Sequence, residues 1–272
     1  MCLTLAPAKL SGTIIHIGEK IVNGELLHVL GYQNSVVSVT DSANAMVLHF
    51  PSRSVMTSNN VVNTVGCKNI LKDMKSAIQP PELLTRGAKG FSYGVTRSVQ
   101  IFDTGIYTVV LADDASLIPA ALHMVPKDKR PQISNETFNF YTQMYPGWSI
   151  ALCCFNNRQT VDADPMMWWY KPQDEDTFTL PGIDSHNGQA PLQGDVDRDH
   201  WLVYGSYRMP QNIGSKVFYT DNVRNVRDLA NYLPERVVGF RVDGKGQNGD
   251  FTSSVHAIYG GHKDLNILPF SS

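Results

Sequence analysis

Two groups of residues carry side chains able to do chemistry. The first is Cys2. With Met1 removed by processing, Cys2 becomes the leading residue, and one carbon then bears both a thiol and a free α-amino group. The amine titrates at about 7.7–8.0 and the thiol at about 8.5, so a neutral amine can take the thiol proton and leave a thiolate without help from a histidine. Asn156, Asn157 and Arg158 directly follow Cys153-Cys154-Phe155, and their donors suit a developing oxyanion or a substrate carbonyl. The second group is Asp184-x-His186 with Asp195, Asp199 and His200, bracketed by Gly182, Gly188 and Gly194. Carboxylates and imidazoles together are the parts of a general acid–base pair or of a divalent-cation site. Neither Asp-x-His nor Asp-His is a selective spacing, so no metal and no cofactor is expected. Each group also has a plainer reading: Cys2 as an inert strand residue, and the Asp/His segment as a turn-rich solvated loop.

On Met1-Cys2 and the stretch after it, the chain resembles the N-terminal nucleophile hydrolases. That resemblance implies layered antiparallel sheets flanked by helices. It also implies Cys2 as the attacking thiolate, its own α-amine as base and later acid, and a small-molecule or peptide amide as substrate. Members acting on linear amides carry Arg and Asp soon after the nucleophile, where this chain has His16-Ile17-Gly18-Glu19-Lys20. Pro146-Gly147-Trp148, Ala151 to Phe155, Trp168 to Pro172 and Asp199-His200-Trp201 also resemble an uncharacterised bacterial protein family, which adds no mechanism.

Composition excludes several classes. Of 272 residues 42% are apolar and 18% charged, with 23 basic against 25 acidic and a net charge of −2. No long run of either sign appears, so neither nucleic acid nor an anionic membrane is an expected partner. The longest strictly apolar run, Ile150 to Phe155, is far short of the about twenty residues of a membrane span. The start of the chain lacks the basic and apolar regions of a secretory signal, and the expectation is a soluble, cytoplasmic protein. Cys2, Cys67, Cys153 and Cys154 show no Cys-x-x-Cys spacing, and no disulfide framework is expected.

The elements that must hold these residues follow from periodicity. Strands are predicted at Leu3 to Leu5, Thr13 to Ile17, Leu26 to Leu30 and Ala45 to Phe50, with turns at Ser11-Gly12 and Asn23-Gly24. Ile70, Leu71, Met74, Ala77 and Ile78 recur at helical spacing, and Val99 to Leu111 reads as a hairpin around Asp103-Thr104-Gly105. Ile118, Ala121, Leu122 and Val125 mark a second helix, and Ser134 caps a third that Pro146-Gly147 ends. Further strands are read at Trp148 to Phe155, Met166 to Lys171, Thr177 to Leu180, Trp201 to Tyr204 and Val237 to Val242, with a last helix carrying Val226, Leu229, Ala230 and Leu233. Hairpins outnumber β-α-β crossovers, so the expected class is α+β with mostly antiparallel sheets layered with about four helices. One domain over 1–272 is expected, its candidate boundaries being 79–82 and 126–131.

In a strand, Cys153 and Cys154 must face opposite sides, as must Trp168 and Trp169. Trp148, Trp168, Trp169, Tyr170 and Trp201 are read mainly as core, with one of the adjacent pair turned outward. Asp243 to Asp250 matches no phosphate-binding fingerprint and reads as a hairpin tip or an exposed binding loop. The leading expectation is an amide-bond hydrolase or acyl-transfer enzyme using Cys2. The alternative is a non-enzymatic binding or structural protein, cellular or viral, that contacts a protein partner through exposed loops and aromatics. A third reading puts hydrolytic or lyase chemistry on Asp184, His186, Asp199 and His200.

Overall fold

The computed structural model describes residues 2–3, 8–38, 42–79, 99–157, 165–185 and 189–270. Thr4, Leu5, Arg158, His186 and residues 80–82 lie outside them, and the side chains of residues 2–3, 8–11 and 35–38 are also undescribed. In chain order the elements are β1 (Cys2–Leu3), β2 (Ala8–Val22), β3 (Glu25–Ser38), β4 (Ala43–Phe50), β5 (Val61–Val62), α1 (Ile70–Ala77), β6 (Val99–Thr104) and β7 (Tyr107–Ala112). There follow α2 (Ile118–Ala121), α3 (Asn135–Met144), β8 (Ser149–Asn156), β9 (Met166–Tyr170), β10 (Thr177–Leu180), β11 (Asp184–Ser185) and β12 (Asp195–Ser206). The rest are β13 (Ser215–Lys216), α4 (Val223–Asp228), β14 (Arg236–Gln247), β15 (Asp250–Ser254), α5 (Val255–Tyr259) and β16 (Asn266–Leu268).

Seven strands form one sheet in the order β13-β14-β12-β2-β3-β9-β5, and four form a second in the order β4-β8-β7-β6. A three-stranded sheet, β10-β15-β16, and the pair β1-β11 complete the described strands. Among the described residues only β12–β2 and β1–β11 run parallel; the other pairings are antiparallel. The α+β class with mainly antiparallel sheets is thus what the chain adopts.

The alternation of each strand divides the apolar residues among three cores. Ile15, Ile17, Leu30, Tyr32, Leu48, Phe50, Cys153 and Trp168 meet in a central core to which both large sheets contribute. The other face of the four-stranded sheet, with Val47, Leu152 and Cys154, is covered by Ile118, Phe138 and Tyr141 of α2 and α3. The other face of the seven-stranded sheet, with Ile14, Val29 and Val203, is covered by Ile70, Leu71 and Met74 of α1. Cys153 and Cys154 therefore do face opposite cores. Trp168 is fully buried, while Trp169 turns the other way and its indole N–H donates to Asn59 O at 3.1 Å.

Local signals explain most boundaries. Asn23 and Gly24, at φ 52° and 80°, make the tight β2–β3 hairpin. The Ser134 hydroxyl accepts from the Thr137 amide and starts α3. Ser11-Gly12 is not the turn its composition suggests. β2 runs through it, and the register against β3 slips between Ser11 and Ile14, so Gly12 (φ 62°) is the residue of a β-bulge. Gly-Ser composition suits both devices, and only the long pairing of Ala8–Val22 with β3 decides between them.

The parallel β12–β2 seam needs glycine at position 18. Gly18 and Gly205 are register partners, and a Cβ on Gly18 would stand 2.0 Å from the Gly205 carbonyl oxygen. Since that oxygen is backbone, nothing can rotate away. Gly18→Ala is expected to reach or exceed the upper end of the about 1–3 kcal/mol typical of overpacking, read as a lower urea midpoint with unchanged m.

Candidate functional site

The strand pattern of β12 separates the residues that sequence alone groups together. Asp199 and His200 are neighbours and so point to opposite faces. His200 is buried edge-on to Phe251, with ring centroids 5.6 Å apart. Asp199 instead accepts from the amide of the Gly12 bulge (2.9 Å) and from Arg241 Nη2 (2.9 Å), and these donors hold its carboxyl below the usual range. The polar segment read as a solvated loop is in fact strand from Asp195 onward. Asp184 sits in β11, buried, its amide donating to Asn248 Oδ1 (2.8 Å) and its carbonyl accepting from Asn248 Nδ2 (2.8 Å). Among the described residues no three His, Cys, Asp or Glu converge as metal ligands.

Of the first candidate group, Arg158 and the side chain of Cys2 lie outside what the structure describes. Cys2 lies in β1, where it pairs with Asp184 of β11, so the backbone brings these two residues together. Asn156 donates to the Asp128 carbonyl (2.9 Å). Asn157 donates to Ser42 Oγ (3.3 Å) and accepts from Asn44 Nδ2 (3.3 Å), which ties the end of β8 to the start of β4. Burial pushes Cys67 up to about 11, Cys154 up to about 12 and Cys153 well above the ordinary thiol value. These three thiols stay protonated at neutral pH and are poor nucleophiles.

The densest polar constellation lies elsewhere. Asp250, fully buried, accepts from His49 Nε2 (2.7 Å), the Tyr145 hydroxyl (2.6 Å) and the amides of Gly182 (2.8 Å) and Ile183 (3.3 Å). Tyr145 stacks on His49 with centroids 4.0 Å apart. Burial alone would raise the Asp250 pKa, but the His49 imidazole, its hydrogen bond, the Gly182 amide and the Tyr145 hydroxyl outweigh it and bring it below the usual range. A His-Asp-Tyr set looks like catalytic machinery, yet both partners of the His49–Asp250 pair have side-chain exposure of 0%, which leaves a substrate no approach. It is a structural pin. Sequence reading missed it because Asp250 sits in a stretch that reads as a polar hairpin tip. In the fold there is no hairpin tip: β14 runs to Gln247 and Asn248-Gly249 carries the chain over to β15 in another sheet, with Asn248 and Asp250 buried.

The surface offers a groove of about 340 Å³ lined by Asp176, Arg208, His256 and Tyr259, among others. Arg208 does not present a free charge there. Its Nε donates to Glu19 Oε2 (3.0 Å) and its Nη2 to Glu19 Oε1, while Glu19 is buried. The more distinctive surface feature is apolar. Phe218 and Val223 are each 73% exposed, on the segment that leads from β13 into α4.

No family model matches the chain, and no curated protein matches it. Solved structures of baculovirus P35 do match, at 12% identity. The crystal structure of baculovirus P35 aligns over 91% of this chain and 89% of that chain, with a TM-score of 0.41. Two structures of a mutated baculovirus P35 after caspase cleavage align over 95% and 94% of this chain and 98% and 93% of theirs, at TM-scores of 0.46 and 0.43. These findings correct the expected resemblance to N-terminal nucleophile hydrolases: the matched structures are of baculovirus P35, and no family model supports that family or the bacterial one. The hydrolase and N-terminal nucleophile assignments fall with it.

The buried histidines fix the acid response. Burial lowers His16 to about 4, against a smaller opposing effect of its hydrogen bond to the Val203 carbonyl, and lowers His28 to about 3. The unfolded chain takes up both protons near 6.5, whereas the native chain resists until far lower pH, so acid favours unfolding. Stability is expected to hold above about pH 7 and to fall from pH 6.5 toward 4, by a few kcal/mol for the two histidines together. Below that, loss of the Asp250 charge destabilises further. Among the described residues neither ring nitrogen of His28 has a hydrogen-bond partner, so His28→Leu is expected to flatten about half of the slope between pH 6.5 and 4 in urea titrations. An unchanged slope would contradict this assignment.

Proposed function

We propose that the chain acts by binding a protein partner, not by turnover, and that Phe218 anchors the contact. The supporting observation is a large ring held out in water by a backbone that is itself pinned. Val217, before it, is buried in the core under α1 and α4. Tyr219, after it, donates its hydroxyl to the Pro234 carbonyl at 2.7 Å. Thr220 bonds Asp73 through its amide (2.8 Å) and hydroxyl (3.1 Å), and Asp221 accepts from the Asn69 amide (2.8 Å) and Nδ2 (3.1 Å). Two buried carboxylates, Asp73 and Asp221, thereby fasten the segment to α1 and to its leading residue.

Such an arrangement suits recognition. An aromatic side chain removed from water at an interface supplies much of the binding energy, and one already ordered loses little entropy on docking. Lys216 Nζ, 5.6 Å from the Phe218 ring, adds a cation beside the apolar surface, and Val223 lies five residues further along. The described candidates for proton transfer, by contrast, are engaged in holding strands together.

The reading is tested at residue 218. A photo-reactive phenylalanine analogue placed there is expected to cross-link one protein in extracts of cells that make the chain. With that protein purified, Phe218→Ala should weaken the complex by at least about tenfold. Because the ring is exposed, melting should change by no more than about 0.5 kcal/mol. An affinity unmoved by Phe218→Ala, or substrate consumption by the purified chain alone, would overturn the reading.

A further inference from the structure

We infer that the outer edge of β14 is a dimerisation surface, on which a second copy of the chain lays its own β14 antiparallel about a twofold axis through Val242. β14 pairs with β12 from Val237 to Gln247 on one side. On the other side β13 covers only Arg236 and Val237. Among the described residues no strand pairs with that side of β14 from Val238 onward. A row of backbone donors and acceptors is thus presented at the end of the seven-stranded sheet, the situation in which a strand from another chain adds most readily.

The two faces of this edge say what kind of strand it accepts. Toward the central core, Val238, Phe240 and Val242 pack against it yet are only partly buried, since the sheet ends beside them. On the opposite face Arg241 and Asp243 are 47% and 58% exposed along their side chains. An incoming strand must therefore be apolar on one face and carry both signs of charge on the other, in reversed order. β14 itself meets this description.

Its register follows from three constraints. Opposed residues must share a face, so the axis passes through a residue. An axis through Arg241 or through Asp243 sets a like charge against its copy. An axis through Phe240 puts Asp243 opposite Val237 of the other copy, where Ser215 of β13 already lies. The axis through Val242 avoids the first fault and reduces the second to one residue, setting only Gln247, the last of β14, opposite Val237. It places Arg241 opposite Asp243 of the second copy, twice, and sets Phe240 and Val238 opposite Gly244 and Gly246, which have no side chains to obstruct them. Within one chain Arg241 Nη2 already bonds Asp199 (2.9 Å) and Nη1 lies 3.5 Å from Asp243; dimerisation gives each guanidinium a further carboxylate and joins two seven-stranded sheets into one.

Sedimentation velocity on the purified full chain at low salt should show a concentration-dependent dimer. Arg241→Glu and Asp243→Arg should each weaken it by at least about tenfold, and the double variant should restore it, because it reinstates both opposed pairs. A cross-link independent of those charges uses Val242→Cys in a Cys2→Ser background: mild oxidation should give a disulfide-linked dimer, since position 242 meets its own copy on the axis. Val238→Cys should not cross-link, as it faces Gly246. A chain that stays monomeric, a dimer indifferent to either single charge reversal, or a Val238→Cys cross-link as efficient as that at 242 would overturn the inference.

Discussion

The carboxylate of Asp250 is the constraint on which much of the remaining structure depends. It lies without solvent contact, and an ionised carboxylate in that position is tolerated only when its lone pairs are filled by donors. The donors come from three places far apart in sequence: His49 on β4, Tyr145 at the end of α3, and the Gly182–Ile183 amides between β10 and β11. Asp250 itself begins β15. One anion thus fixes an edge of the four-stranded sheet, the helix that covers it and the three-stranded sheet against one another. Removing any one donor leaves the charge less satisfied, so these elements are coupled energetically as well as spatially.

The same economy recurs at two other carboxylates that join distant strands. Glu19 on β2, buried, binds Ser206 at the end of β12 and Arg208 just beyond it, and Asp199 on β12 closes the Gly12 bulge while holding Arg241 of β14. In each case the carboxylate is satisfied by donors from neighbouring segments, Asp199 having been a catalytic candidate by sequence alone. At Asp250 and Asp199 these donors bring the carboxyl below its usual range and make it a poor proton acceptor, because taking a proton means breaking the hydrogen bonds that favour its charge. These carboxylates therefore serve the seams of the fold.

Period and punctuation in the sequence reached the elements but not the site. The spacing of Ile70, Leu71 and Met74 located α1, and Ser134 and Asn23-Gly24 located a cap and a turn, because each of these signals is local. The Ser11-Gly12 bulge, the strand character of Asp195 to Asp199 and the inward direction of Asp250 depend on which distant strand lies alongside, and no local pattern carries that information. Adjacent residues were informative where alternation alone decides, as with Cys153 and Cys154 or Trp168 and Trp169. Phe218 was missed for a related reason. Val217-Phe218-Tyr219 reads as an apolar triplet, and only the anchoring of its flanks by Asp73 and Asp221 shows that the middle ring is the one turned to water.

This last point bears on why the exposed ring is better read as a contact than as an accident of folding. An isolated surface apolar residue needs no special account. Phe218, however, is flanked by residues that are buried or hydrogen-bonded, so the backbone has little freedom to turn the ring inward and relieve its hydration. The cost of exposure is borne in the free chain and is recovered only when another apolar surface covers the ring. A segment fixed in that state favours association over isolation, and it does so without any group on it having to gain or lose a proton.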